Sequence, residues 1–510
     1  MAVNQRRVGA VISMIYSASQ AIIGLLYVPL LLNGIGSSEY GLYQMVGSII
    51  AYLSVAGTTL SSGITRFYCK FYAEGDVEGM DNTLGIAKRL YRIASPLILL
   101  VAIVMGVVFR IIYRDSLTAH ELNESILMLA ILAVNLLVTM QNTISNAVLS
   151  AHEHFVLMNG VLLGSAILQP ILVITLVNIL PHAAAITAIQ LLLNCIVWGI
   201  QAHYARTRLG MSTKLRFLDR DLQKNLLLFS SSILLGVVAD QIFWKTNQLV
   251  IAYFYSTTAV AVYAVGSQIF NCYMSLGYAV SSVFLPKISS MYHDKDYQGI
   301  DLLFRRVGRL AFYLLFLVLS AFAIFGREFI LFWAGDGYEE AYFIALIIMV
   351  PYTIDVMQNT GLTILKVMNK YSARAVLYVV SAIANMVLSI VLVQLLGIIG
   401  AAIATGLCVF VVSGIIMNWY YAKVGLNIKA YWKEVIRLAL PLVFLMLFVA
   451  SIKTFGGLSI HSWGTLILCI VVYCILFMLV AFFASMNQYE KDLIRSGVCK
   501  SLRIIKRTKK

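Results

Sequence analysis

Apolar residues run along this chain in long blocks, and fourteen of the blocks approach the roughly 20 residues that a helix needs to cross about 30 Å of hydrocarbon. They cover approximately residues 8–32, 42–63, 93–113, 126–150, 156–180, 183–203, 226–252, 258–285, 310–334, 341–365, 375–396, 398–420, 438–455 and 464–486. A backbone in hydrocarbon has no water to bond, so blocks of this length without a period of two are expected to be helices, whose peptide groups are satisfied internally. The first block follows Arg6 and Arg7, is too long for a signal-peptide core and lacks a small-residue cleavage site, so it is expected to remain as the first helix.

Composition agrees with a chain that lies mostly in lipid. Hydrophobic residues make up 61% of it and charged residues only 12%, for a mean hydropathy of +0.87. A net charge of +15 invites a nucleic-acid reading, but the position of the cations argues otherwise. With the N-terminus inside, 33 of the 38 Lys and Arg fall in cytoplasmic segments, the distribution that sets the orientation of multi-pass proteins. The basic balance, including the tail ending at Lys506, Arg507, Lys509 and Lys510, therefore reports topology and anionic phospholipid headgroups as partners, and nucleic acid is not expected as one. The seven cysteines lie in spans or cytoplasmic ends with no CxxC, so neither a disulfide nor a zinc site is expected.

The spans also carry an internal repeat. Met140-Gln141-Asn142-Thr143 recurs as Met357-Gln358-Asn359-Thr360 at an offset of 217. The segment from Gly106 through Phe109 to Tyr113 resembles that from Gly326 through Phe329 to Trp333 at 220, and Val46-Gly47-Ser48 meets Val265-Gly266-Ser267 at 219. Each match pairs a span with the sixth span after it, which predicts two parallel six-helix copies related by an axis along the membrane normal. The fold class expected is thus an all-α integral membrane bundle of 14 transmembrane helices. Residues 1–203 form one lobe, 204–225 a cytoplasmic loop and 226–425 the second lobe, and 426–510 hold two further helices and the basic tail.

Polar residues recur at helical spacing on the first two spans of each copy. They are Ser13, Ser17, Gln20 and Gly24; Gln44, Ser48, Tyr52, Thr59 and Ser62; Ser232, Gly236, Asp240 and Asn247; and Ser267, Asn271, Ser275 and Ser282. Spacings of three, four and seven place each set on one face, either to line a polar path or to let helices pack closely. Ionisable groups inside a membrane cost several kcal/mol unless they meet water or a partner. Asp240 lies centrally on its polar face, Lys245 lies five residues further on and is free either to join the path or to snorkel outward, and Asp355 has Pro351 and Asn359 one turn away on either side. For Asp355 the alternatives are ion coupling and a structural hydrogen-bonded acid. Arg327 and Glu328 are expected to form an interfacial ion pair, and Arg66 either anchors its span or faces the path. There is no Walker A pattern, the outer loops are short, and His152-Glu153-His154 has no further ligands in sequence, so no enzyme, cofactor or metal site is expected.

The segment Leu32 to Tyr43, reading LNGIGSSEYGLY, followed by Gly57, by Gly63 to Phe67 and by Glu74-Gly75-Asp76, resembles the opening of the Wzx-type polysaccharide flippases. Leu396 to Thr405, reading LGIIGAAIAT, resembles a turn in the same group, within the multidrug/oligosaccharidyl-lipid/polysaccharide exporter superfamily. The resemblance implies two six-helix lobes around a central cavity lined by the four striped spans. It also implies an undecaprenyl-pyrophosphate-linked oligosaccharide, such as an O-antigen or capsular repeat unit, moved across a bacterial inner membrane by alternating access, with a glycan polymerase and glycosyltransferases as partners. On that reading Lys245, Asp240, Arg66, Gln20, Gln44, Asn247 and Asn271 contact substrate, and Asp240 or Asp355 couples an ion. The alternatives are a proton- or sodium-coupled multidrug antiporter of the same superfamily and, disfavoured by the short loops, a membrane-embedded sugar polymerase.

The charge distribution makes a direct prediction. Reporter fusions should place both termini and the 204–225 loop in the cytoplasm and the 114–125 loop outside; a cytoplasmic 114–125 loop would refute the orientation.

Overall fold

The structure, a computed structural model, describes residues 2–215, 217, 219–282, 284–457 and 460–492; the basic tail and Cys499 lie outside the described residues. In chain order the helices are α1 (Ala2–Glu74), α2 (Val77–Ile112), α3 (Ala119–Ala151), α4 (Phe155–Val177), α5 (Ala183–Arg208), α6 (Arg220–Phe254), α7 (Thr257–Ser282) and α8 (Leu285–His293). They continue as α9 (Tyr297–Ala334), α10 (Glu339–Met357), α11 (Asn359–Val367), α12 (Ser372–Leu396), α13 (Ile398–Val409), α14 (Met417–Val424), α15 (Ile428–Phe455) and α16 (Trp463–Val480). Wider π-helical turns, Phe410–Ile416 and Ala481–Ser485, follow α13 and α16.

Thirteen stretches of the described residues are helical, long and apolar enough to cross a membrane. The first joins two helices, because the backbone of α1 leaves the helical region at Gly36, where φ is 82° and ψ is 172°. A side chain is strained at that φ and glycine is not. The two halves of α1 coincide with the first two apolar blocks of the sequence. Several helices begin well before their apolar block: α2 starts at Val77, where the Asp76 carboxylate accepts the Gly79 N–H at 2.9 Å. Such polar extensions carry the helix out of hydrocarbon while keeping its first amides capped.

By packing, the chain divides into two compact units, one of Met1–Ile269 with Ala375–Thr405 and the other of Phe270–Arg374 with Gly406–Lys510. This partition runs through α7, α12 and α13 and so differs from one based on sequence duplication. The first unit has a core where α1, α2, α3 and α6 meet, with Leu53, Ile64, Leu84, Tyr91, Met140 and Leu226 buried together. Small residues permit the approach: a Cβ on Gly57 would lie 3.0 Å from Met140 Cγ.

The segment just after Gly36 fastens one end of this unit. Ser38 Oγ donates to Glu121 Oε1 at 2.7 Å and lies 2.9 Å from Thr257 Oγ1, which donates to the same carboxylate at 2.7 Å. Glu39 Oε2 accepts the Ala183 N–H at 2.8 Å, so one short stretch of α1 ties the starts of α3, α5 and α7. Gly41 is required by contact: a Cβ there would fall 1.7 Å from the Thr257 carbonyl oxygen.

In the second unit a charged cluster secures the last helices. Arg309 on α9 donates to both oxygens of Glu490, Nε at 2.6 Å and Nη2 at 2.9 Å, and its Nη1 lies 3.6 Å from Glu434. Arg305 donates to Glu434 and, at 3.0 Å, to Asp301, whose other oxygen accepts the Asn427 N–H at 2.7 Å. Only 3% of the Glu490 side chain is exposed, so its charge depends on this partner. Glu490→Ala is predicted to cost about 3–5 kcal/mol by leaving Arg309 with the longer Glu434 contact alone. The measurement is thermal unfolding in detergent, and adding Arg309→Met to the same chain should recover most of the loss.

Candidate functional site

Exposure has a different meaning in a membrane protein, where an exposed apolar side chain suits lipid and an exposed polar one within a span requires water or a polar ligand. From Ile93 to Val108 on α2, and from Ile467 to Leu479 on α16, every exposed residue is apolar. The second half of α1 is the opposite. Among its described residues from 41 to 66 the exposed ones are Thr58, Ser62 and Arg66, four apart and so on a single face. On α6 the residues Ser232, Gly236 and Asp240 repeat the pattern, also four apart and exposed.

These two helices run antiparallel against each other within the first unit. Ser48 Oγ donates to Gln248 Oε1, Tyr52 and Thr246 share a hydroxyl hydrogen bond at 2.6 Å, a Cβ on Gly63 would lie 2.7 Å from Ser230 Oγ, and the Arg66 guanidinium sits 4.3 Å from the centre of the Phe229 ring. The stripes read from the sequence thus divide along their length. Ser48 and Tyr52 are spent on joining the helices, whereas toward Arg66 the polar faces of both helices are exposed. The exposed hydroxyls of Ser62 and Ser232 donate to carbonyls of their own helices, at 3.2 and 2.7 Å, which leaves their oxygens available as acceptors.

The charges take distinct places. Asp240 accepts the Tyr378 hydroxyl at 3.0 Å and the Gln241 amide at 3.3 Å. Lys245 is half-buried, and among the described residues no salt bridge joins it to Asp240. Gln20 is exposed and Gln44 half-buried on α1, while Asn271 is exposed in the second unit.

Asn247 is buried, at 1% exposure, in a polar knot among α6, α7, α12 and α13. Its amide nitrogen lies 2.7 Å from the Tyr263 hydroxyl and 2.8 Å from Thr405 Oγ1, and its oxygen accepts the Ser389 hydroxyl at 2.8 Å. Asn385 completes the knot by donating to the Phe243 carbonyl at 2.9 Å and accepting from Thr405 at 3.2 Å. In the second unit Asp355 accepts from the Ser413 hydroxyl and lies 3.4 Å from Arg374, a partner that sequence reasoning missed because it stands just before its apolar block. The expected Arg327–Glu328 pair is replaced. Glu328 bonds Lys453 at 2.7 Å, since consecutive helical residues point in different directions. In the turn between α3 and α4, His152 packs on Tyr72 with ring centres 4.4 Å apart, and burial, then the neighbouring His154, holds its imidazole below the usual range.

Residues 92–343 match the family of polysaccharide biosynthesis proteins. The inward closed conformation of the lipid II flippase MurJ has this fold, with a TM-score of 0.72 at 14% identity, covering 94% of this chain and 100% of that one. An inward-facing multidrug resistance MATE transporter of the MOP superfamily gives 0.60 at 16% identity, over 82% of this chain and 95% of its own. A MATE structure in complex with MaL6 gives 0.53 at 14% identity, over 85% and 96%. No curated protein matches the chain by sequence. The chain thus shares the fold of MurJ and of these MATE transporters.

Two segments singled out in the sequence, Leu32 to Tyr43 and Leu396 to Thr405, are joints. Ser38, Glu39 and Gly41 tie helix starts, as described above. Gly397 turns the chain at φ 71° between α12 and α13, and a Cβ on Gly400 would lie 2.1 Å from the Leu392 carbonyl oxygen. The knot around Asn247 supplies a test of how the α6 wall is held. Asn385→Ala removes the second bond to the Phe243 carbonyl and an acceptor for Thr405 and Ser389, and is predicted to cost about 1–3 kcal/mol, visible as a lower unfolding temperature in detergent.

Proposed function

We propose that this protein is an exporter of the multidrug/oligosaccharidyl-lipid/polysaccharide superfamily, a flippase for an undecaprenyl-pyrophosphate-linked oligosaccharide, an O-antigen or capsular repeat unit, carried from the cytoplasmic to the outer leaflet of a bacterial inner membrane. The observation that carries the proposal is the exposed polar face of α1 and α6, in a chain whose middle matches polysaccharide biosynthesis proteins. A glycan cannot enter hydrocarbon without losing its hydrogen bonds to water, whereas hydroxyl, amide and charged side chains along a path replace them. The lipid tail has no such need and stays in the bilayer. In this mechanism residues 1–203 and 226–425 act as lobes related about the membrane normal, rocking around the 204–225 loop to open the path first inward and then outward.

The diphosphate needs positive partners, because charge attraction in a low-dielectric path far exceeds that in water. Arg66 meets it at the open end of the polar face, and Lys245 meets it deeper in. Asp240 holds the path's counter-charge, Gln20, Gln44 and Asn271 bond the sugars, and Asn247, whose amide is already engaged, supports α6 from behind. A MATE-like multidrug antiporter is the second reading, favoured by the shared fold with MATE transporters. On that reading Asp240 or Asp355 couples the ion.

The test is surface glycan in a strain lacking the gene, with membrane abundance of each variant as control. Lys245→Ala is predicted to abolish export, Lys245→Arg to keep part of it because the charge survives in a different geometry, and Asp240→Asn to slow it less. Normal glycan from both Lys245→Ala and Arg66→Ala at normal abundance would remove the diphosphate role. Drug resistance conferred without any effect on glycan would favour the antiporter.

A further inference from the structure

Three helix starts converge on Glu39, His120 and His182. Glu39 lies just after the Gly36 break in α1, His120 is the second residue of α3, and His182 stands at the N-cap of α5. One ligand atom from each lies within 4.8 Å of those of the other two. His182 makes no side-chain cap for α5. The first amides of that helix are instead taken by two carboxylates, Ala183 N–H by Glu39 Oε2 at 2.8 Å and Ala184 N–H by Glu124 Oε1 at 3.0 Å. The displaced His182 ring is left with its Nδ1 buried and without a hydrogen-bond partner. The other oxygen of Glu39, Oε1, lies 3.9 Å from His120 Nδ1, and the two imidazole rings are 5.7 Å apart.

We propose that these three residues bind a divalent transition-metal ion, with Zn2+ the best match. Two imidazole nitrogens and one carboxylate oxygen are the borderline donors that favour zinc over calcium or magnesium, and three ligands leave one tetrahedral position for water. Bonds of about 2.0–2.2 Å place tetrahedral ligand atoms about 3.4 Å apart. The site therefore closes by about an ångström, a movement open to the 62% exposed His120 side chain. The metal gives the orphaned Nδ1 of His182 a partner, and Glu39 is already oriented by its hydrogen bond from the Ala183 N–H, which leaves Oε1 for the ion. It would tie the second half of α1, just after Gly36, to the starts of α3 and α5.

The experiment uses the full chain, purified in detergent, stripped with chelator and freed of any polyhistidine tag. Zn2+ is titrated against a fluorescent indicator, and Co2+ is added separately to read the visible absorption of tetrahedral cobalt. The expected result is one Zn2+ per chain, a raised unfolding temperature, and at least about tenfold weaker binding in His120→Ala and in His182→Ala. Glu39→Gln should weaken binding too while its amide oxygen continues to accept the Ala183 N–H. His120 is exposed, so its variant reports the site without disturbing packing. Absence of saturable binding to the wild type, or wild-type affinity in the His120→Ala/His182→Ala double variant, would overturn the proposal.

Discussion

Hydrocarbon offers no hydrogen bonds, and that one constraint shapes the described residues of this protein from end to end. It makes the backbone helical, because a helix is the one open structure that satisfies its own peptide groups. Within the spans it leaves a polar side chain either a partner inside the protein or an exposed position. The knot around Asn247 and the bond from Ser413 to Asp355 are the first outcome, with donors and acceptors matched inside the protein. The exposed faces of Thr58, Ser62 and Arg66 and of Ser232, Gly236 and Asp240 are the second.

The same helices serve both purposes, and length along the helix decides which. At the Ser48 and Tyr52 end, α1 and α6 spend their polar groups on each other. Toward Arg66 the corresponding positions are exposed. The hydrogen-bonded seam joins the two helices at one end and leaves their polar faces free at the other.

The glycine- and serine-rich segments by which the chain resembles the polysaccharide flippases act on architecture. Gly36 supplies a backbone break, Gly41 a near contact with the Thr257 carbonyl, and Ser38 and Glu39 the bonds that hold three helix starts. None of these groups is specific for a sugar, so the segments report the architecture and not a ligand. The exposed face differs from them: its side chains are short and polar, and its charges are Arg66 and Asp240.

The sequence by itself determined where the chain crosses the membrane and that it does so as helices, because the transfer of apolar side chains into lipid is a local property summed over about 20 residues. It also placed Asp240, Asp355 and Arg66 in or beside spans, since a charge there stands out against its neighbours. It did not pair them. That Asp355 meets Arg374 and Ser413, that Glu328 turns to Lys453 and not to Arg327, and that Asp240 meets Tyr378 follow from contacts between residues from 19 to 138 positions apart. Likewise, stripes at helical spacing announced polar faces but not which part of each would be packed and which exposed. Only the tertiary structure decides that, because a polar residue on a helix is neutral between a neighbouring helix and water until the rest of the chain has taken one of them away.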